Sequence, residues 1–304
     1  MNTTKKNKLI VVCGPTAVGK TSLAIELATY YKTEIISADS RQFYKELNIG
    51  TAKPSFNELS IIKHHFINNL SITDEYSSGS YEKEVLQLLN GWYKKNSKPI
   101  IIAGGSGLFI KAVCEGFDAL PKIDEKIRNN LKTFFLKDGI KALQKKLEIN
   151  DPHYYEIVDK NNPQRLIRAL EVIKCTGKSY SSFLKKQPKP RFFDSVYIGL
   201  NIDRNLLYER INCRVDIMME SGLLAEVESL YNYKHLKALQ TVGYTELFEY
   251  LDGKLNKEQA VALIKQNTRR YAKRQITWFK KIENMKWFEP QELEAIKSYI
   301  DLKI

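Results

Sequence analysis

Gly14-Pro15-Thr16-Ala17-Val18-Gly19-Lys20-Thr21 fits GxxxxGK[ST] without a mismatch. A loop of this kind turns its backbone N–H groups, and the start of the helix after it, toward phosphate oxygens. Lys20 adds a point charge, and the Thr21 hydroxyl is suited to Mg²⁺. The motif requires a strand before it and a helix after it. Both are predicted: residues 9–13 form a short apolar run typical of a buried parallel strand, and residues 21–31 have helical apolar spacing. The loop alone leaves open which phosphate compound it takes. A usual P-loop NTPase has an apolar strand ending in Asp that helps hold the metal. The best strand for that role, 100–103, runs instead into Gly104-Gly105-Ser106-Gly107, which weakens a nucleotide-hydrolysing reading.

Ser37-Ala38-Asp39-Ser40-Arg41-Gln42 closes a second apolar run, 34–38. In an open parallel sheet the carboxyl ends of strands face the ligand crevice. Asp39 is therefore expected beside the phosphate loop, where it can serve as a general base. It can equally cap a following helix, as Asp and Ser favour cap positions, and position alone does not separate the two roles.

Positioning these groups falls to alternating strands and helices. Further strands are predicted at 98–103 and 196–200, so the fold class is α/β, a P-loop NTPase-like parallel sheet core flanked by helices. Between them the pattern turns helical, at 127–137, 139–147 and 163–176, the last stopping at Gly177. This reads as a mainly helical insertion domain, 114–191, within a discontinuous core of 1–113 and 192–304. After residue 196 the chain is again mainly helical, over 204–233 and 256–283.

Lys and Arg number 48 against 35 Asp and Glu, a net charge of +13 that favours a polyanionic partner. The insertion shares this bias, with 17 basic against 10 acidic residues from Cys114 to Arg191. Lys265, Arg269 and Lys273 lie four apart in a segment with few acids, a stripe suited to phosphates. Ile264, Tyr271 and Trp278 lie seven apart, which predicts a buried face. The cysteines, Cys13, Cys114, Cys175 and Cys213, stand singly, which argues against a zinc ribbon or a redox pair. His64-His65 lacks the spacing of a metal site, so a structural role is expected there. No stretch approaches membrane-spanning length or a signal-peptide core, so a cytoplasmic protein is expected, with no membrane. Nothing demands a protein partner, and a monomer is expected.

Several long segments, in order, resemble the tRNA dimethylallyltransferases (tRNA isopentenyltransferases) of bacterial type. They are GPTAVGKT at Gly14, DSRQFYKELNIGTAKP from Asp39, GGSGLFIKAV from Gly104, NPQRLIRALEV from Asn162, GLLAEV from Gly222, TVGYTEL from Thr241 and RRYAKRQITWFKK from Arg269. The resemblance implies that residues Gly14, Pro15, Thr16, Ala17, Val18, Gly19, Lys20 and Thr21 hold the diphosphate of dimethylallyl diphosphate, with Mg²⁺ on Thr21. It implies transfer of the dimethylallyl group to N6 of the adenosine just 3′ of the anticodon, in tRNAs reading codons that begin with U. Asp39 matches the general base. Ser106 stands where the family usually has Thr, keeping a hydroxyl, and Phe109 where it usually has Tyr, losing one. Arg214 matches an arginine that reaches the diphosphate, although Arg210 lies on the same helix face. Asp39, Ser40, Arg41 and Gln42, with Ser106, Arg128, Gln164, Arg165 and Arg168, match segments that meet the tRNA anticodon stem-loop. A small-molecule P-loop kinase would account for the loop and Asp39 but not for the basic helices. A non-catalytic, nucleotide-gated RNA-binding protein would account for the charge but not for an acid over the phosphates.

Overall fold

The computed structural model describes residues 6–118, 120–184 and 187–304. The chain forms two compact units, Met1–Glu115 with Pro190–Ile304, and Gly116–Lys189. The strands are β1 (Asn7–Cys13), β2 (Ile35–Ser37), β3 (His64–His65), β4 (Ile100–Gly104), β5 (Phe193–Leu200) and β6 (Lys286–Phe288). The helices are α1 (Lys20–Tyr31), α2 (Phe56–Ile61), α3 (Ser78–Tyr93), α4 (Gly107–Cys114), α5 (Glu125–Asn150), α6 (Pro152–Ile157), α7 (Pro163–Thr176), α8 (Arg204–Glu220), α9 (Leu223–Ser229), α10 (Tyr244–Leu251), α11 (Lys257–Phe279) and α12 (Leu293–Asp301).

In the first unit the strands pair in parallel in the order β3-β2-β4-β1-β5-β6. A parallel sheet must be covered on both faces, and β1 is apolar on both. Leu9 and Val11 pack with Tyr81, Val85 and Leu89 of α3 and with Ile110 and Val113 of α4. Ile10 and Val12 pack on the opposite face with Leu23 and Leu27 of α1 and Leu207 and Ile211 of α8. A further cluster, including Tyr44, Leu47, Val215, Leu223, Tyr244, Leu247 and Ile264, joins α8–α11 to the loop after β2. The helical stretch expected over 204–233 breaks at Gly222, whose φ of 98° ends one helix and starts the next. Strands β3 and β6, of two and three residues, are too short to leave a periodic signal. His64-His65 takes its structural place there, at the edge of the sheet.

The second unit has its own core, with Leu131, Leu143 and Leu147 of α5 against Leu166, Ala169 and Leu170 of α7. Helix α5 is interrupted at Gly139 (φ 73°, ψ −175°), where the sequence pattern separates two helices. Helix α7 starts on Pro163 behind an Asn162 cap and ends at a left-handed Gly177. Among the described residues, no helix is long and apolar enough to cross a membrane.

Candidate active site

The phosphate loop joins β1 to α1. Lys20 folds back over it, its Nζ donating to the Pro15 carbonyl at 2.7 Å. Burial pushes Lys20 down to about 8; Asp39 opposes the fall and the like charge of Arg214 adds to it. Arg214 reaches the loop from α8, its Nη1 3.4 Å from the Thr16 hydroxyl. Burial lowers its pKa too, again against the pull of Asp39. Lys20, Arg214 and Asp39 thus share one electrostatic neighbourhood around the loop. Of the two arginines on this face of α8, Arg214 is the one bonded to the loop.

The loop is fastened from α11. Buried Gln275 accepts from the Thr16 N–H at 2.9 Å and donates to the Gly105 carbonyl at 2.9 Å. This explains the glycines at the end of β4, where an NTPase would carry its Asp. A Cβ on Gly104 would run into the Ala38 carbonyl, one on Gly105 into the Gln275 amide, and one on Gly107 into the Trp278 indole. Close approach of three neighbours, rather than a metal, dictates the residue type.

Asp39 follows β2 and caps no helix. Its Oδ1 accepts from the Arg41 N–H at 3.0 Å and its carbonyl from the Gln42 N–H at 3.1 Å, a turn held by its own side chain. Its Oδ2 accepts no hydrogen bond among the described residues. Ser106, at the start of α4, accepts from the Ser40 N–H at 3.0 Å, and its hydroxyl lies 3.2 Å from that of Ser40. The Asp39 turn and the glycine loop after β4 are thereby tied together. Phe109 packs its ring against Phe43 and Tyr81, at centroid distances of 5.5 and 5.3 Å. Gln42 is occupied inside the fold, donating to the carbonyls of Thr51 (3.3 Å) and Ala52 (3.1 Å), so its amide shapes a wall of the site.

Asp39, Ser40 and Arg41 line a cavity of about 250 Å³. Thr16, Thr51, Arg214, Thr241 and Thr268 add to its polar part, while Val215, Met218, Leu223, Val242 and Ile264 give it an apolar lining. Tyr271 also lines it and is 36% exposed, which corrects the expectation of a buried face at 271, while Ile264 is buried and Trp278 packs against the core as expected. Only at Tyr271 does the cavity replace the core on that side of α11. Burial of its hydroxyl end and the charge of Asp39 raise the Tyr271 phenol, against the charges of Arg41 and Arg274 and a hydrogen bond with Ser106.

The basic stripe of α11 is partly neutralised from α8. Lys265 pairs with Asp216 at 2.6 Å, and Arg269 donates to Asn212 at 2.6 Å. The compensating carboxylate lies on a different helix, out of reach of a count along one segment. In the second unit, Arg128 and Arg168 both pair with buried Glu171, at 3.2 and 3.1 Å. Gln164 and Arg165 stand exposed on the first turn of α7.

The chain's sequence matches the family described as IPP transferase over residues 42–282. The chain belongs to the IPP transferase family. A tRNA dimethylallyltransferase of Christiangramia forsetii is 52% identical to it over 299 residues, spanning 98% of this chain and 99% of that protein. One from Flavobacterium psychrophilum is 52% identical over 289 residues, 93% of this chain and 94% of that protein. Among solved structures, the full-length tRNA isopentenylpyrophosphate transferase of Bacillus halodurans superposes with a TM-score of 0.73 at 36% identity, covering 98% of this chain and 97% of that one. A eukaryotic dimethylallyltransferase acting on tRNA gives a TM-score of 0.79 at 27% identity, covering 98% of this chain and 77% of that one. Within the IPP transferase frame, the structure adds Gln275 to the candidate site and moves Tyr271 from an expected buried face to the cavity wall. Both lie in the segment from Arg269, which carries the resemblance, but only their contacts assign them places in the site.

Proposed function

We propose that this protein transfers a dimethylallyl group from dimethylallyl diphosphate to N6 of the adenosine 3′-adjacent to the anticodon, in tRNAs reading codons that begin with U, releasing diphosphate. The observation that carries this reading is the position of Asp39 on the wall of a largely apolar cavity that begins at a cationic phosphate loop. Neither a kinase nor a passive RNA binder needs that combination. The loop N–H groups, Lys20 and Arg214 hold the diphosphate, and the prenyl group lies along Val215, Met218, Leu223, Val242 and Ile264. The N6 amine is a weak nucleophile because its lone pair is delocalised into the ring. Asp39 accepts its proton as the new C–N bond forms and the C–O bond to diphosphate breaks. General base action of this kind is worth roughly 10²–10⁴ in rate. Charge growing on the departing diphosphate meets Lys20 and Arg214, already in place.

Thr21, on the first turn of α1, would hold Mg²⁺. Among the described residues there is no cluster of three or more His, Cys, Asp or Glu side chains able to hold a metal ion. A single hydroxyl fits Mg²⁺, which keeps much of its water and leans on substrate phosphate oxygens. When bound it would supply positive charge to the diphosphate. The adenosine must leave its stack to reach Asp39. Ser40 and Arg41 meet it at the cavity, with Ser106 bonded to Ser40, and Arg128, Gln164, Arg165 and Arg168 of the helical unit contact the anticodon stem-loop. All these groups come from one chain, so a monomer suffices, and a cytoplasmic location is consistent with a tRNA substrate.

Asp39→Asn tests the assignment. Transfer should fall by roughly 10²–10⁴ while the dissociation constant for tRNA stays within about twofold. Equal loss of both would remove Asp39 from the role of base.

A further inference from the structure

The apolar part of the cavity is walled by pieces far apart in sequence: the turn at Gly50, Thr51 and Ala52, Leu223 of α9, and the loop Thr241, Val242 and Gly243 ahead of α10. One carboxylate joins all three. Glu226 of α9 accepts from the backbone N–H groups of Asn48 (3.1 Å) and Ile49 (2.8 Å) on Oε2. Its Oε1 accepts from the Gly50 N–H (3.2 Å) and from the Tyr244 hydroxyl (2.5 Å). Asn48, Ile49 and Gly50 open the 3₁₀ turn Ile49–Thr51, whose first N–H groups have no partner within the turn. Glu226 satisfies them from across the fold. Tyr244, the first residue of α10, brings its ring so close to Gly50 that a Cβ there would lie 2.5 Å from the ring. At its other end the turn is held by Gln42, which bonds the Thr51 and Ala52 carbonyls and belongs to the loop that carries Asp39.

We infer that Glu226 is a positioning residue for the prenyl group: it fixes the wall against which the tail lies, through the turn at 48–50 and through Tyr244. The inference rests on the proposed use of a prenyl diphosphate. Glu226 does not line the cavity itself, so its effect is felt by the prenyl part of the substrate. Lys20, the phosphate loop and Arg214 share no hydrogen bond with it, and the diphosphate part is untouched.

The experiment compares wild type, Glu226→Gln and Tyr244→Phe for the KM of dimethylallyl diphosphate, the KM of tRNA and the inhibition constant of inorganic diphosphate. Glu226→Gln replaces one accepting oxygen with an amide that cannot accept from the N–H groups facing it. The KM for dimethylallyl diphosphate should rise about tenfold, while the diphosphate inhibition constant and the KM for tRNA move less than about twofold. Tyr244→Phe removes one of the four bonds and should raise the same KM about threefold, again without moving the other two. A parallel rise in the diphosphate inhibition constant, or an unchanged prenyl KM in both variants, overturns the inference. If Glu226→Gln does not fold, Tyr244→Phe decides by the same criteria. Wild type that transfers no dimethylallyl group refutes the parent reading instead, so the two failures are distinct.

Discussion

Replacing Lys20 with Met should stabilise the free protein while disabling it. Burial holds Lys20 at about 8 instead of 10.5. That difference corresponds to about 3 kcal/mol of folding free energy spent on keeping the ammonium charged near pH 7. Met has a similar length and no charge. It forfeits the hydrogen bond to the Pro15 carbonyl, worth about 1 kcal/mol, so a net gain of about 2 kcal/mol remains. The pH dependence follows from the direction of the shift. A lysine whose folded pKa lies below its unfolded value destabilises the fold fully below the folded pKa. The penalty fades as pH rises from about 8 to 10.5 and is gone above it. Thermal unfolding near pH 7 should show the variant melting a few degrees above wild type, with the gap nearly closed near pH 10. Inorganic diphosphate should raise the melting temperature of the variant clearly less than that of wild type, and kcat/KM should fall by roughly 10²–10³. A variant less stable than wild type near pH 7, or a gap that persists near pH 10, would refute the reasoning.

In wild type, the KM for dimethylallyl diphosphate should climb above about pH 8 in a pH–rate series, as Lys20 loses the charge that meets the diphosphate. Gln275→Ala unfastens the loop from Gly105, and calorimetry should show diphosphate binding weakened by roughly tenfold for the two lost bonds. Glu171→Gln leaves two arginines beside a buried neutral amide; denaturant unfolding should show a loss of about 1–3 kcal/mol. Arg168→Ala should weaken tRNA binding and lower the slope of log affinity against log salt by about one, measured by filter binding.

The parts of the site legible in the sequence are those whose physics is local. The phosphate loop is read from eight adjacent residues because its strand, turn and helix must follow one another directly. Helix α7 is bounded where its Pro163 and Gly177 signals put it, since both act on their own backbone. What stayed hidden depends on contacts between distant segments. The glycines after β4 suggest a missing carboxylate, but only the approach of Ala38, Gln275 and Trp278 explains why glycine is there. Tyr271 repeats at seven residues with Ile264 and Trp278, and nothing along one helix says that its neighbour on that side is a cavity. The charge on Lys265 looks uncompensated, and Arg269 looks free, until α8 brings the Asp216 carboxylate and the Asn212 amide oxygen alongside. Glu226 meets its backbone partners across more than 170 residues of chain, a separation at which no spacing rule operates.

As proposed, the cationic loop, the apolar cavity and Asp39 together perform prenyl transfer to RNA. The most direct measurement follows labelled dimethylallyl diphosphate into a tRNA that reads codons beginning with U, with Mg²⁺ present and ATP absent, and locates the label by digestion. The expected result is label on N6 of the adenosine 3′ to the anticodon, with diphosphate released in equal amount. No label in tRNA, with ATP consumed when small alcohols are supplied, would contradict it and make the loop a nucleotide site.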